Sequence, residues 1–196
     1  MAMHPVGLLL SRNFASPYSV FLGFGLGTIS YYFWGTLVGQ STGSIFIALN
    51  PDARKELRID ASKAVEIWKY SYVTGAKHFG ISSALAPVAV LAAALTVPYG
   101  SDVTQKYLLR LSGLLLSITL YTFIIVLPTN NRIVAIYKKI KKNREESMEP
   151  SVSPLSTAEE EEVVTLFRKW KNLHYTRIVL GALGWVGTFA AYLASV

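Results

Sequence analysis

The sequence predicts an all-α integral membrane protein, folded as one four-helix bundle. Its composition is 52% hydrophobic and only 16% charged, which is more apolar than a typical soluble domain. The apolar residues are concentrated in four blocks of about 20 residues or more, the length that a helix needs to cross a bilayer. The chain, residues 1–196, is the size of a single small domain.

Each of the four blocks has a composition that suits a membrane helix. They comprise residues 18–49, 79–98, 107–127 and 178–196. The first is uncharged and rich in glycine, which lets membrane helices approach each other closely. Pro87 lies inside the second, where we expect a kink. Pro128 follows the third, and we expect it to act as a helix stop before a basic amphipathic stub over residues 132–142.

The basic residues predict the orientation of these helices. Of the 19 Lys and Arg residues, 16 lie in the segments between the first and second blocks and between the third and fourth. By the positive-inside rule these two loops face the cytoplasm, or the matrix in a mitochondrion. Both termini then face the non-cytoplasmic side. The same clustering accounts for the formal net charge of +7, and no nucleic-acid-binding signature is present in the sequence.

The long cytoplasmic loop between the third and fourth helices has two parts. Residues 143–158 contain several serines and two prolines, which predicts a flexible linker. The pair Ser156 and Glu159, or equally the pair Thr157 and Glu160, fits a capping box at the start of the next helix. From there a helix can continue to the end of the chain.

The N-terminal segment leaves the compartment open. No acidic residue precedes Asp52, which is compatible with a mitochondrial presequence, although the first apolar block can equally serve as an uncleaved signal anchor. Cysteine is absent, so its usage gives no information on the redox environment. We expect the endoplasmic reticulum membrane, with the mitochondrial inner membrane as the alternative.

The predicted topology brings three polar segments to the cytoplasmic end of the bundle. They contribute Thr129, Asn130 and Asn131 after the third span, Trp170, His174 and Arg177 before the fourth, and Trp68 and Tyr72 before the second. The spacings i, i+4 and i+7 place the members of the last two segments on one helix face. Together they suit a pocket for a flat, oxygen-bearing organic ligand. Taken singly, each is better explained as a membrane-interface residue.

The sequence offers little support for other kinds of site. The three histidines are far apart and none is spaced from a carboxylate as metal ligands on a helix are. There is no phosphate-binding loop, dinucleotide fingerprint or serine elbow. We therefore expect no metal and no nucleic-acid partner.

Several motifs resemble those of the anthrone oxygenase family of small four-helix membrane proteins. They are W-K-Y-x-Y-x-x-G at residues 68–75, P-T-N at 128–130, W-x-x-x-H-x-x-R at 170–177, and the glycines Gly181 and Gly184. The resemblance extends from the first span to the end of the chain. One position departs from the fungal enzymes, in which a histidine tends to follow the glycine that corresponds to Gly75; here Ala76 follows it.

The resemblance implies a cofactor-independent oxidation of an anthrone, or a similar polycyclic phenolic, to a quinone with O2. His174 is then the general base, since imidazole has an ordinary pKa of about 6.5. Arg177 and Asn130 would stabilise the oxyanion. The substrate-binding residues would be Trp170, Trp68, Tyr72, Thr129 and, as a lesser candidate, Asn131. Expected partners are the lipid bilayer, a hydrophobic aromatic molecule and O2.

Two other classes of function remain open on the sequence alone. The protein could be a non-catalytic membrane subunit or assembly factor that docks a protein partner. It could instead bind a hydrophobic ligand without converting it.

Overall fold

The structure, a computed structural model, describes residues 16–98, 100–146 and 155–195, and these are almost entirely helical. The helices are α1 (Pro17–Thr42), α2 (Ser44–Leu49), α3 (Pro51–Glu56), α4 (Ala61–Leu95), α5 (Asp102–Tyr121), α6 (Leu127–Glu146) and α7 (Thr157–Ser195), with a π-helical turn (Thr122–Val126) between α5 and α6. Residues 1–15 of the N-terminal segment and half of the predicted linker, residues 147–154, lie outside the described residues. At its two ends the linker is shorter than expected, because α6 continues to Glu146 and α7 begins at Thr157.

Three helical segments in the described ranges are long and apolar enough to cross a membrane. They are Ala61–Leu95, Asp102–Glu146 and Thr157–Ser195. The all-α, integral membrane class is thereby confirmed. The glycine-rich α1 has 26 residues, enough to span, but it is not among those three. The fourth span and the sides of the termini stay predictions.

The long helix α1 ends before the end of the predicted first span. The helix ends at Thr42, and Gly43 adopts an extended conformation before the short α2. The Asn50 side chain then accepts hydrogen bonds from the backbone N–H groups of Asp52 and Ala53, which starts α3 at Pro51. Residues 44–56 therefore form two short helices rather than a continuation of the long one.

The described residues divide into two compact units. Unit 1 contains the chain up to Gly35, Phe79–Leu120 and the residues from Ile178 onward. Its core includes Leu22, Ile29, Tyr32, Val90, Leu108, Leu115 and Ile118. A Cβ atom at Gly184 would collide with the Leu115 side chain, so this glycine lets α7 pack closely against α5.

Pro87 is accommodated inside α4 by hydrogen bonds from a neighbouring helix. A proline cannot donate to the carbonyl four residues earlier, which here belongs to Ser83. Thr119 on α5 supplies the missing donor, with its Oγ1 3.0 Å from the Ser83 carbonyl oxygen. Ser112 on the same helix donates to the Pro87 carbonyl oxygen at 2.9 Å. The neighbouring helix therefore satisfies the carbonyl that the proline leaves without its usual donor, as an internal proline in a membrane helix requires.

Pro128 does not stop the helix, contrary to the sequence-based expectation. The chain passes from the π-helical turn into α6 without interruption, and the Leu127 N–H donates to the Thr122 carbonyl oxygen, five residues back. A wider i→i+5 turn relieves the clash that a proline ring makes with the preceding turn of an α-helix. The basic stub expected beyond Pro128 is confirmed as the helix α6.

Unit 2 contains Thr36–His78 and Tyr121–Arg177, and charged pairs join its helices. Arg132 on α6 forms a two-pronged ion pair with Glu162 on α7, at 2.6 and 3.0 Å. Lys139 pairs with Glu159 of α7, and Arg144 with Glu66 of α4. These pairs are partly exposed, so each contributes little stability but helps to fix the helix partners.

Side-chain caps begin both α4 and α7. Glu159 accepts a hydrogen bond from the Ser156 N–H at 3.0 Å, which confirms the first of the two predicted capping pairs. Asp60 accepts from the Lys63 N–H at 2.7 Å and from the Ser62 hydroxyl at 2.8 Å. Partial burial raises the pKa of Asp60, but these hydrogen bonds and the Arg144 charge outweigh it and leave that pKa below its ordinary value.

The hydrogen bond from the Thr119 hydroxyl to the Ser83 carbonyl oxygen should stabilise the fold, because Pro87 has no N–H to donate to that carbonyl. Thr119→Val should lower the free energy of unfolding by about 1 kcal/mol, within the range measured for bonds between membrane helices. In a Pro87→Ala background the new backbone N–H can donate to the Ser83 carbonyl oxygen. Thr119→Val should therefore lower the free energy of unfolding by less in that background. Thermal or denaturant unfolding in detergent measures both.

Thr96→Val is the matched control, since the Thr96 hydroxyl bonds only to its own helix, at the Ala92 carbonyl oxygen. It should change stability by less than about 0.5 kcal/mol. An equal cost of Thr119→Val with and without Pro87 would contradict this role of the bond.

Candidate functional site

All eight residues that the sequence singled out lie in unit 2. Four of them contribute aromatic rings that form a continuous chain across α4 and α7. Tyr72 stacks on Trp68 with 4.9 Å between ring centroids, and the edge of Trp68 meets Trp170 at 6.0 Å and 90°. Trp170 in turn stacks on His174 at 4.5 Å. The predicted i, i+4 pairs therefore do share a helix face, and the two pairs meet.

Asn130 connects α6 to this aromatic chain. The indole N–H of Trp170 donates to the Asn130 Oδ1 over 2.8 Å, and both side chains are buried. Because Oδ1 is occupied by Trp170, the amide is oriented and its NH2 group remains the donor for other partners. Asn131 is exposed, so the structure does not bring it together with the others.

Three side chains of the site are buried with polar atoms that bond to nothing in the described part of the chain. They are Trp68 at Nε1, Thr129 at Oγ1 and His174 at Nδ1. Most buried polar atoms in proteins have a hydrogen-bond partner, and leaving one without costs about 1–3 kcal/mol. These three side chains are therefore candidates for binding a ligand.

The surroundings of His174 define which of its nitrogens can accept a proton. The side chain is 7% exposed, and the backbone of Thr36 hydrogen-bonds the ring. Because Nδ1 has no partner, this bond is made by Nε2, which as an N–H donates to the carbonyl. We therefore assign the lone pair to Nδ1.

Arg177 lies three residues after His174 and is half-buried. Its positive charge acts on the imidazole. Burial and a neighbouring cation both favour the neutral ring. The site thus combines a neutral imidazole with a fixed positive charge close by.

Two polar groups in unit 2 were missed by the sequence reasoning. Gln40 on α1 is 6% exposed with an unpaired Oε1, and Arg54 in α3 has an unpaired, buried Nε. Gln40 could have been noticed as an amide within a long uncharged apolar block, where polar residues tend to be functional. Nothing in the sequence distinguishes Arg54 from the other basic residues of its loop, so it could not have been selected as a candidate site residue.

No three His, Asp or Glu side chains in the described ranges lie close enough to hold one metal ion together. The groups that the structure brings together are instead aromatic rings, the Asn130 amide and the His174 imidazole. Chemically, such a set is suited to a planar molecule that carries oxygen atoms.

The fold and the candidate site define a helical membrane protein with a buried aromatic cluster that carries unpaired polar atoms. Residues 68–187, more than half of the chain, match the family model of anthrone oxygenase. The protein therefore belongs to the anthrone oxygenase family. The matched range includes all eight predicted site residues but not Gln40. No curated protein and no solved structure matches the chain.

The neighbouring asparagines offer a direct test of the buried bond. Asn130→Ala leaves the Trp170 N–H unpaired and should lower the free energy of unfolding by about 1–3 kcal/mol. Asn131→Ala, one residue along on the exposed surface, should change it by less than about 0.5 kcal/mol. Unfolding in detergent measures both.

A double-mutant cycle with Trp170→Phe isolates the bond, since phenylalanine keeps a ring but has no N–H. The Asn130→Ala penalty should shrink in that background. Equal penalties for the two asparagines would show that the bond does not stabilise unit 2.

Proposed function

We propose that the protein is a membrane-bound oxygenase that oxidises an anthrone, or a similar polycyclic phenolic, to a quinone with O2 and without a cofactor. The observation that carries the proposal is the aromatic chain with its unpaired donors and acceptors. The family supports the reaction type. The site supports a flat substrate that carries oxygen atoms.

The overall reaction converts the methylene group of the anthrone to a carbonyl. A base first removes one methylene proton, which leaves an anion delocalised over the rings and the existing carbonyl. The anion transfers one electron to O2, and the resulting radical and superoxide combine to a peroxide at that carbon. Loss of the second proton breaks the O–O bond. One oxygen atom stays as the new carbonyl, and the other leaves as water.

His174 is the proposed base, acting through Nδ1. The atom carries the lone pair in the assigned tautomer, and the Thr36 backbone holds the ring in place. Burial makes this imidazole a weaker base than one in water. The proton transfer therefore depends on stabilising the anion, for which Arg177 and the Asn130 NH2 group are the proposed partners.

Trp68 and Thr129 would complete the binding of the substrate. The Trp68 N–H can only donate, so it suits the carbonyl oxygen, while the Thr129 hydroxyl can donate or accept. Trp68 is fully buried, so a substrate that bonds to Nε1 must displace neighbouring side chains on entry. The rings of Trp68, Tyr72 and Trp170 then supply apolar contact to a planar molecule. Asn131 is exposed and has at most a peripheral role.

Unit 1 supports the proposal of four membrane spans. Its helical stretches, in α1 up to Gly35, in α4 from Phe79, in α5 up to Leu120 and in α7 from Ile178, each have about 17–19 residues. At 1.5 Å per residue they are about 26–29 Å long, close to the thickness of the hydrocarbon core. We propose that both termini are non-cytoplasmic and that the protein resides in the endoplasmic reticulum. Apolar polycyclic substrates partition into such a membrane.

A protein that binds the same ligand without converting it is the second candidate, since unpaired buried polar atoms need a ligand whether or not a reaction occurs. A co-purified pigment with no oxygen consumption would favour it. A stoichiometric protein partner retained in mild detergent would instead favour a subunit or assembly factor.

Replacing the proposed base should remove most of the activity. His174→Ala should lower the rate of anthrone-dependent oxygen uptake by about 10²–10⁴-fold, the usual contribution of a general base. His78→Ala is the matched control, because His78 is exposed and not part of the site, and it should retain the wild-type rate.

The measurement uses membranes from cells that express each variant, with the non-enzymatic oxidation of the anthrone subtracted. Equal rates for wild type and His174→Ala would remove His174 as the base. No activity in wild type would contradict the proposed substrate class.

A further inference from the structure

We propose that Gln40 is a substrate-binding residue that accepts a hydrogen bond from a hydroxyl group of the ligand. The inference rests on the proposed function, because it adds a residue of α1 to the same site. Gln40 lies outside residues 68–187, so the family match assigns it no role.

The Gln40 side chain is buried with an unsatisfied acceptor. It is only 6% exposed, and its Oε1 has no hydrogen-bond partner in the described part of the chain. An amide oxygen can only accept a hydrogen bond. The group that would satisfy Gln40 is therefore a donor, and the nearby protein does not supply it.

The position of Gln40 within unit 2 places it beside the residues of the site. Thr36, one turn earlier on the same helix, is also buried and hydrogen-bonds His174 through its backbone. Ser44, four residues later, has its Oγ 2.6 Å from the Oγ of Ser71. Ser71 is three residues from Trp68 on α4. The residues one turn before and one turn after Gln40 therefore contact α7 and α4, the two helices that carry the aromatic chain.

The balance of donors and acceptors indicates the chemistry of the ligand. The unpaired atoms of unit 2 comprise two acceptors, Gln40 Oε1 and His174 Nδ1, two donors, Trp68 Nε1 and Arg54 Nε, and the Thr129 hydroxyl, which can be either. A ligand that satisfies all of them needs both a hydroxyl and a carbonyl group. A hydroxylated anthrone has both, together with the acidic methylene that His174 would deprotonate. An unsubstituted anthrone has no hydroxyl for Gln40.

The test compares two substrates, 2,7-dihydroxyanthrone and anthrone, in wild type and in Gln40→Met, since hydroxyls at positions 2 and 7 are too far from the carbonyl to bond to it within the molecule. Methionine has nearly the same length but cannot accept a comparable hydrogen bond. Wild type should prefer the dihydroxy compound in kcat/KM, and Gln40→Met should reduce that preference about tenfold, mainly through KM. Because Gln40 Oε1 bonds to no protein group, the variant should unfold at the same or a higher temperature than wild type.

Gln105→Met is the matched control. Gln105 donates to the Ala94 carbonyl oxygen at 3.2 Å in unit 1, so its replacement removes a structural hydrogen bond. It should lower stability and leave the substrate preference as in wild type. A preference that is unchanged in Gln40→Met, or a loss of stability as large as that of Gln105→Met, would overturn the assignment.

Failure of the proposed function has a different signature. If wild type oxidises neither anthrone, the proposed oxygenase activity is wrong. The role of Gln40 is then tested by itself, by measuring the affinity for each compound from a titration of tryptophan fluorescence under nitrogen. Loss of the preference for the dihydroxy compound in Gln40→Met would support the assignment. Equal affinities of wild type for the two compounds, or no binding of either, would overturn it.

Discussion

The buried hydrogen bond from the Trp170 indole to Asn130 is the contact on which the rest of unit 2 depends. It joins α6 to α7 and holds the ring that touches both Trp68 and His174. The π-helical turn just before α6 contributes to this arrangement, because an i→i+5 turn has one residue more than an α-turn and rotates the next helix by about 100°. Thr129 and Asn130 are buried in the next turn, while Asn131 is exposed.

The buried polar atoms that have no partner are the reason for proposing that the cluster is a site. A hydrophobic core that served stability alone would have no reason to retain a buried indole N–H, a hydroxyl, an imidazole and an amide without partners. Local destabilisation of this kind is typical of functional sites. The assigned tautomer of His174 gives one of those atoms a lone pair, and a substrate with an acidic C–H would meet it there.

The sequence predicted the helical membrane class, and it predicted that Trp170 and His174 share a helix face, because both depend on short-range periodicity. Trp170 and His174 meet because they are four residues apart on one helix. A block of about twenty apolar residues most often forms a transmembrane helix. The sequence did not predict that the helix continues through Pro128, because the compensating π-helical turn has no signature in residue type. Gln40 was missed although an amide within an uncharged apolar block is itself a signal, because the sequence does not show that its Oε1 lacks a partner.

The central claim is that the unpaired groups of unit 2 bind a planar molecule through its oxygen atoms. The most direct measurement is the unfolding temperature of the purified protein under nitrogen, where no oxidation occurs, with 1,8-dihydroxyanthrone or with anthracene, a flat hydrocarbon without oxygen. Ligand at one hundred times its Kd should stabilise the fold by about 2.7 kcal/mol. We predict a clear increase with the anthrone and a much smaller one with anthracene. Equal shifts with both, or none with the anthrone at saturation, would contradict the claim.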